Sequence, residues 1–460
     1  MRASTTPPFG ARFVVPLLIG PVLNPVNTTM VSVALVPISA ALGVGSSTVV
    51  WLVAGLYLAS SIAQPTMGTL ADRFGPRRTY LFGLAVVVVA GVVPLVSATF
   101  AGVLVSRVLI GIGTSAAYPS AMTMIRDQSA RAGVATPPAL LSAVSIAALA
   151  TTAVGPVLGG FLVGSFGWPA IFVVNVPLAG LALVLSWLWL PGDDTRPASR
   201  LLADPGRLDV VGMAGFAVTT TAVLVFLLDL ASGYWWLLAG SVLVGALTVR
   251  WELRRTAPFI DLRMLRRNGA LTRTYLRMML LYFGFYSMTY GYSQWLQDVA
   301  GFSSERAGLL QLPSAVLAGL ASVLVARSTR LRAPLVAAGV LPTLGGALLV
   351  LTDAGSPVGF LLVVAGCFGI AQGLASVSNQ AAMYRQAPPE TTGAASGLSR
   401  TFVYLAAIGS SALVGLVFGQ RPTDAGLHLM GGVVALSCLG ALALAVGDRT
   451  LARRTPAGVG

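Results

Sequence analysis

The sequence predicts an all-α integral membrane protein with fourteen transmembrane helices, and three observations carry that expectation. Its 460 residues are 56% hydrophobic and only 10% charged, with a mean hydropathy of +0.83, which leaves too little polar surface for a water-soluble globule. The apolar runs are repeatedly about twenty residues or longer, which spans a hydrocarbon core of roughly 30 Å at 1.5 Å rise per residue. They lack the alternation of a barrel, so the spans are helices. Arginines, finally, recur in alternate connections, as the positive-inside rule requires.

Taken in order, the first span covers 13–43; Arg2 and Arg12 precede it and another span follows at once, so it reads as a retained helix with a cytoplasmic start. Spans 48–70 and 79–98 flank a basic turn, and 101–125 stops at Arg126, Asp127 and Arg131. Spans 138–163 and 168–191 run out into the polar stretch "PGDDTRPASRLLADPGR". Two spans, 209–230 and 234–250, stand between it and a second basic segment, "RWELRRTAPFIDLRMLRRN". The last six are 271–297, 305–326, 333–352, 357–383, 394–419 and 426–446, followed by Arg449, Arg453 and Arg454. With both termini cytoplasmic, the inside loops hold most arginines and the outside loops little beyond Arg306 and Arg421. The expected organisation is a six-helix bundle (1–191), linkers with two extra helices (192–270) and a second bundle (271–460), able to rock about a central site in the cell's inner (plasma) membrane.

The net charge of +14 is spread over many short loops, so it serves topology and lipid contact and does not form a nucleic-acid face. Trp51, Trp168, Trp235, Trp236 and Trp251 fall near span ends, as an interfacial belt does. His428, Cys367 and Cys438 are too few and too scattered for a metal set, and no cofactor motif occurs. The expected partners are a small-molecule substrate, lipids and protons, with the chain acting as a monomer.

The segment "GTLADRFGPRR" (68–78) resembles the signature loop of the major facilitator superfamily. "GPVLGG" (155–160) resembles its antiporter motif, and "WPAIFVVNVP", "QDVAGFSSERAGLLQLP" and "QAPPETTGAASGL" are similar to segments of the fourteen-span drug/proton antiporters. The resemblance implies the major facilitator fold and, through the antiporter motif, export of drugs or secondary metabolites. A conformational switch is expected at Gly68, Asp72, Arg73, Gly75, Arg77 and Arg78, with Asp127 as a second acid, and at Gly155, Pro156, Gly159 and Gly160. The glycines permit close approach, and the proline bends its helix. Asp72 among three arginines forms a cluster that one conformation can hold and another release.

A substrate cavity is read from polar stripes at helical spacing: Asn24 and Asn27; Tyr57 and Gln64; Arg107, Thr114 and Tyr118; Tyr282, Tyr286, Tyr290 and Gln294; Gln372 and Asn379. A cation inside a span faces protein or a watery cavity, which singles out Arg107, whereas Arg277 and Arg400 lie near cytoplasmic ends and are expected to snorkel. In "NPVNTTM" (24–30), Asn27 stands where the family usually carries an aspartate, and Pro25 is expected to free a carbonyl for the cavity. Asp127 is the expected proton-coupling residue. The leading function is proton-driven export of amphipathic organic molecules; the alternative is a facilitator or importer without proton coupling.

Overall fold

In hydrocarbon an apolar segment must close its own backbone hydrogen bonds, and the computed structural model is accordingly helical, with no strand among the described residues. It describes residues 9–134, 138–193, 209–228, 233–256, 258–326, 331–387 and 392–452. The first half contains α1 (Ala11–Met30), α2 (Trp51–Phe74), α3 (Pro76–Val96), α4 (Phe100–Ser115, continued by Ala117–Ala132), α5 (Pro138–Phe166) and α6 (Asn175–Trp189). Then come α7 (Val210–Leu228) and α8 (Trp235–Glu252). The second half contains α9 (Gly269–Ser287), α10 (Ser304–Ala326), α11 (Arg332–Leu349), α12 (Val358–Gln386), α13 (Thr392–Phe418) and α14 (Asp424–Gly447).

Among the described residues eleven helices are long and apolar enough to cross a membrane, and α5 adds a shorter apolar stretch, Val154–Phe166. The short α8 carries Arg250 and Glu252, and α9 carries Arg273 and Arg277, so both fall outside that group. Leu95, Val96, Leu188, Leu324, Leu351 and Leu436 are all exposed, an apolar exterior suited to lipid. α7 and α8 pack on each other, and α7 leans on α2 and α13, with Leu228 against Gly415 and the Thr66 hydroxyl 3.6 Å from Met213 Sδ.

The first span departs from the single helix expected over 13–43. α1 stops at Met30, a 3₁₀ turn covers Val31–Val33, and a short helix resumes at Leu35–Leu42. The Pro25 carbonyl accepts from the Thr28 and Thr29 hydroxyls at 2.9 and 2.8 Å, so it is not released toward a cavity. Such hydroxyl back-bonding competes with the helix ladder and bends it. Lower in α1, the Tyr80 hydroxyl accepts from Gly20 N–H at 3.1 Å and donates to Pro16 O at 2.6 Å, standing in for one rung of that ladder. α9 is also interrupted: a π turn at Met288–Tyr292 leads into Ser293–Asp298.

Candidate functional site

Contacts between the first and last six helices run along a seam. At one end, Ser46 and Ser47 N–H donate to Gln420 O and Gly419 O at 3.1 and 2.7 Å. Beside it the "GPVLGG" glycines let backbone meet backbone. A Cβ at Gly155 would strike Thr29, one at Gly159 would lie 3.0 Å from Met30 Cα, and one at Gly160 would lie 2.7 Å from Ser304 O and 3.0 Å from Glu305 Cα on α10. Gly308 returns the contact against Pro156 O. This end is therefore closed by glycine-mediated packing between α5 and α10.

Mid-seam lies an aromatic cluster. Tyr286 of α9 and Tyr290 of the π turn that follows it stack at 5.9 Å, with Tyr282 6.0 Å from Tyr286. Tyr57 of α2 lies 5.2 Å from Tyr286 and 5.7 Å from Tyr404 of α13. The Tyr57 and Tyr290 hydroxyls meet at 3.0 Å, Tyr290 donates to Thr28 O at 2.8 Å, and Tyr404 donates to the Gln64 amide oxygen. The structure thus brings Tyr57, Gln64, Tyr282, Tyr286 and Tyr290 together from the two halves. Gln294 is buried one turn beyond and donates to Tyr290 O at 3.2 Å.

The "NPVNTTM" amides are paired off. Asn27 Nδ2 donates to Asn175 Oδ1 at 2.6 Å, Asn175 Nδ2 donates back at 2.9 Å, and both residues are buried. Asn24 donates to the Thr114 hydroxyl at 2.9 Å. Arg107, 1% exposed, donates through Nε to Leu52 O at 2.8 Å and through Nη1 to Asn27 O at 3.0 Å, while Nη2 has no partner. Tyr118 is half-buried. Gln372 lies apart, in a small cavity of about 30 Å³ with Gln311, Thr289 and Ser314.

Asn379 serves a different group. Its Oδ1 accepts from Arg277 Nε at 2.8 Å; Arg277 also donates to Thr274 at 3.1 Å and approaches buried Asp448 at 4.0 Å. Arg277 is wholly buried, so it does not snorkel. Asp448 also pairs with Arg273 at 3.4 Å and is a membrane-edge acid that sequence reasoning missed.

At the 68–78 turn the Asp72 and Arg73 side chains lie outside the described residues. Gly75 has φ +105, a backbone that side chains rarely adopt, and Gly68 lies against Pro119. A second acid enters here: Asp193, just past α6, accepts from the N–H groups of Arg77 and Arg78 at 3.0 and 2.9 Å and caps α3. Arg77 also donates to Trp187 O at 2.6 Å. Asp72 is therefore not the turn's one carboxylate. Asp127 is half-buried on the second segment of α4. Asn175 and Asp193 escaped sequence reasoning because their partners are 148 and 116 residues away. The available signal was that a buried mid-span amide needs a partner.

Helical halves locked together at one end around a polar aromatic seam form the architecture of a membrane transporter. The chain belongs to the Major Facilitator Superfamily, whose model matches residues 17–411. It is 34% identical over 443 residues to the "Uncharacterized MFS-type transporter YwoD" of Bacillus subtilis, covering 95% of this chain and 96% of that protein. It is 29% identical to the "Tetracenomycin C resistance and export protein" of Streptomyces glaucescens, over 88% of this chain and 75% of that one. Among solved structures, a POT family transporter in complex with 5-aminolevulinic acid is similar in fold, with a TM-score of 0.69 at 14% identity, covering 94% and 97% of the two chains.

Proposed function

We propose that the protein exports amphipathic organic molecules across the plasma membrane by alternating access, through fourteen spans with both termini cytoplasmic. The observation that carries this reading is the glycine-mediated contact of Gly160 with Ser304 and Glu305, and of Gly308 with Pro156, which closes one end of the seam. In this reading that end is the outer one, and residues 1–191 and 271–460 rock about the tyrosine cluster while 192–270 travels at the seam's edge. Names of relatives that include an export protein support the direction. The 68–78 turn, with Asp72, Arg73 and Asp193, is the inner latch.

For the driving force, proton antiport through Asp127 is the first reading. A second, flux without protons, is favoured by the reciprocal Asn27–Asn175 pair, which has no titrating group. Inside-out vesicles decide between them. Uptake of an amphipathic dye that needs a pH gradient and fails in Asp127→Asn supports antiport, whereas uptake indifferent to both supports the second reading. Dye movement no faster than in empty vesicles removes the export proposal.

A further inference from the structure

Arg107, Arg277 and Arg400 each lie about two turns from the nearer end of their helical segment, and they are spent differently. Arg107 is used on two carbonyls and Arg277 on Asn379, Thr274 and Asp448. Arg400, two turns into α13, is exposed and makes neither a hydrogen bond nor an ion pair among the described residues. It lies one turn before Tyr404, on the face that meets Tyr57 and Gln64 across the seam. The tyrosines Tyr404, Tyr118, Tyr282 and Tyr286, drawn from both halves, are the groups that act on it most strongly. Tyr384, which is exposed and accepts from Gln380 at 3.2 Å, extends the same wall toward Tyr118.

A guanidinium that lies open beside tyrosines, with no carboxylate paired to it, leaves its fork available to an anion. Among the described residues no carboxylate forms an ion pair with it. We infer that the open guanidinium of Arg400 and the tyrosines beside it bind amphipathic anions, molecules with an aromatic body that lies against the tyrosines and a carboxylate that takes the guanidinium fork. Arg107 is not an alternative anchor, because it is closed over by its carbonyl partners. The planar fork matches a carboxylate at two points. The inference rests on the export reading only for the direction of movement; binding itself does not depend on it.

The test is equilibrium binding to purified protein in nanodiscs, with empty nanodiscs subtracted, using 1-pyrenebutyrate, its methyl ester and 1-pyrenemethylammonium. Wild type should prefer the carboxylate to both others. Arg400→Gln should weaken carboxylate binding about 10- to 100-fold, as loss of a charged hydrogen-bond pair implies, and leave the ester unchanged. Arg400→Lys should recover part of the loss. Both variants should keep the wild-type melting temperature, since Arg400 holds no other group. Equal or tighter binding of the ammonium probe by wild type, no binding of the carboxylate, or unchanged carboxylate binding by Arg400→Gln would each overturn the assignment. Uptake of the same carboxylate into inside-out vesicles then separates the two claims: binding without uptake removes export and keeps the anion site.

Discussion

At the residue scale, two neighbouring arginine and asparagine groups differ in what they can do. Arg107 ties Leu52 O of α2 to Asn27 O of α1, and at 1% exposure it acts as a staple between helices. Arg107→Ala is expected to destabilise the fold by about 3 kcal/mol, the sum of two charged hydrogen bonds at the low end of their range, with Arg107→Lys recovering little because one ammonium does not reach both carbonyls. Thermal unfolding in detergent measures this, and a wild-type melting temperature for Arg107→Ala would remove the staple. Asn27 is constrained differently. Its Nδ2 faces Asn175 Oδ1 at 2.6 Å, so Asn27→Asp puts two oxygens in contact unless the new acid keeps its proton. That variant should shift the pH dependence of transport relative to wild type, and Asn27→Asp/Asn175→Ala should reduce the shift. A pH profile of Asn27→Asp that overlays wild type would count against the pair as a proton-excluding element. The sequence made Asn27 conspicuous, but not its partner: a two-residue stripe on α1 carries no information about a helix 148 residues later.

At the element scale, the helices were legible because each apolar run is long enough to close its own ladder, and the breaks were not. The bend after Met30 depends on Thr28 and Thr29 hydroxyls choosing Pro25 O, a local competition that hydropathy does not register. The α5–α10 seal was half legible: the glycines of 155–160 announced close approach, while Gly308 stood unremarked on the opposing helix. Gly308→Val sets side-chain atoms against Pro156 O, so it should open that end, lengthening spin-label distances between Ser165 and Ser303 and lowering transport about tenfold or more at normal expression. Unchanged distances would show that the contact does not close the pathway. The base of α7 and α8 holds a different device. Asp209 accepts from Trp251 Nε1 at 2.7 Å and Gly212 N–H at 3.0 Å, and Glu252 accepts from Ile260 N–H at 3.2 Å, with Glu252 Oε1 unpartnered. Burial, together with the Asp209 charge and against the Ile260 and Phe259 amides and Arg255, pushes the Glu252 carboxyl up from 4.5 to about 7. The folded state thus holds a proton that the unfolded segment releases, so this docking is complete below about pH 4.5 and is lost as pH rises through about 7. Amide exchange in 258–262 should accelerate across that window, and Glu252→Gln should flatten it; an unchanged slope in Glu252→Gln would assign the effect elsewhere.

At the scale of the whole molecule, the question is what drives the cycle when the mid-seam groups are tyrosines, amides and arginine. The sequence puts Asn27 where the family usually carries an aspartate, and the structure adds that Arg400 stands open while Asn27 is locked to an amide. Sequence reasoning assigned Arg400 to snorkelling because its distance from the helix start was visible and its tyrosine neighbours from other helices were not. An open arginine and a missing carboxylate have one joint consequence. A monoanion leaving a cell whose interior is negative is driven outward by about 2.3 kcal/mol per 100 mV without any proton moving inward. Such an exporter has no use for an acid at position 27, and a drug/proton antiporter frame could lose it once its cargo became anionic. In proteoliposomes with the potential clamped by a potassium gradient and valinomycin, the equilibrium ratio of 1-pyrenebutyrate should shift about fifty-fold per 100 mV toward the positive side. At zero potential, a one-unit pH difference, acting on a probe that is ionised throughout, should leave the ratio near one. If the pH difference alone moves the ratio about tenfold and Asp127→Asn abolishes that movement, proton antiport through Asp127 is restored and the potential-driven account falls.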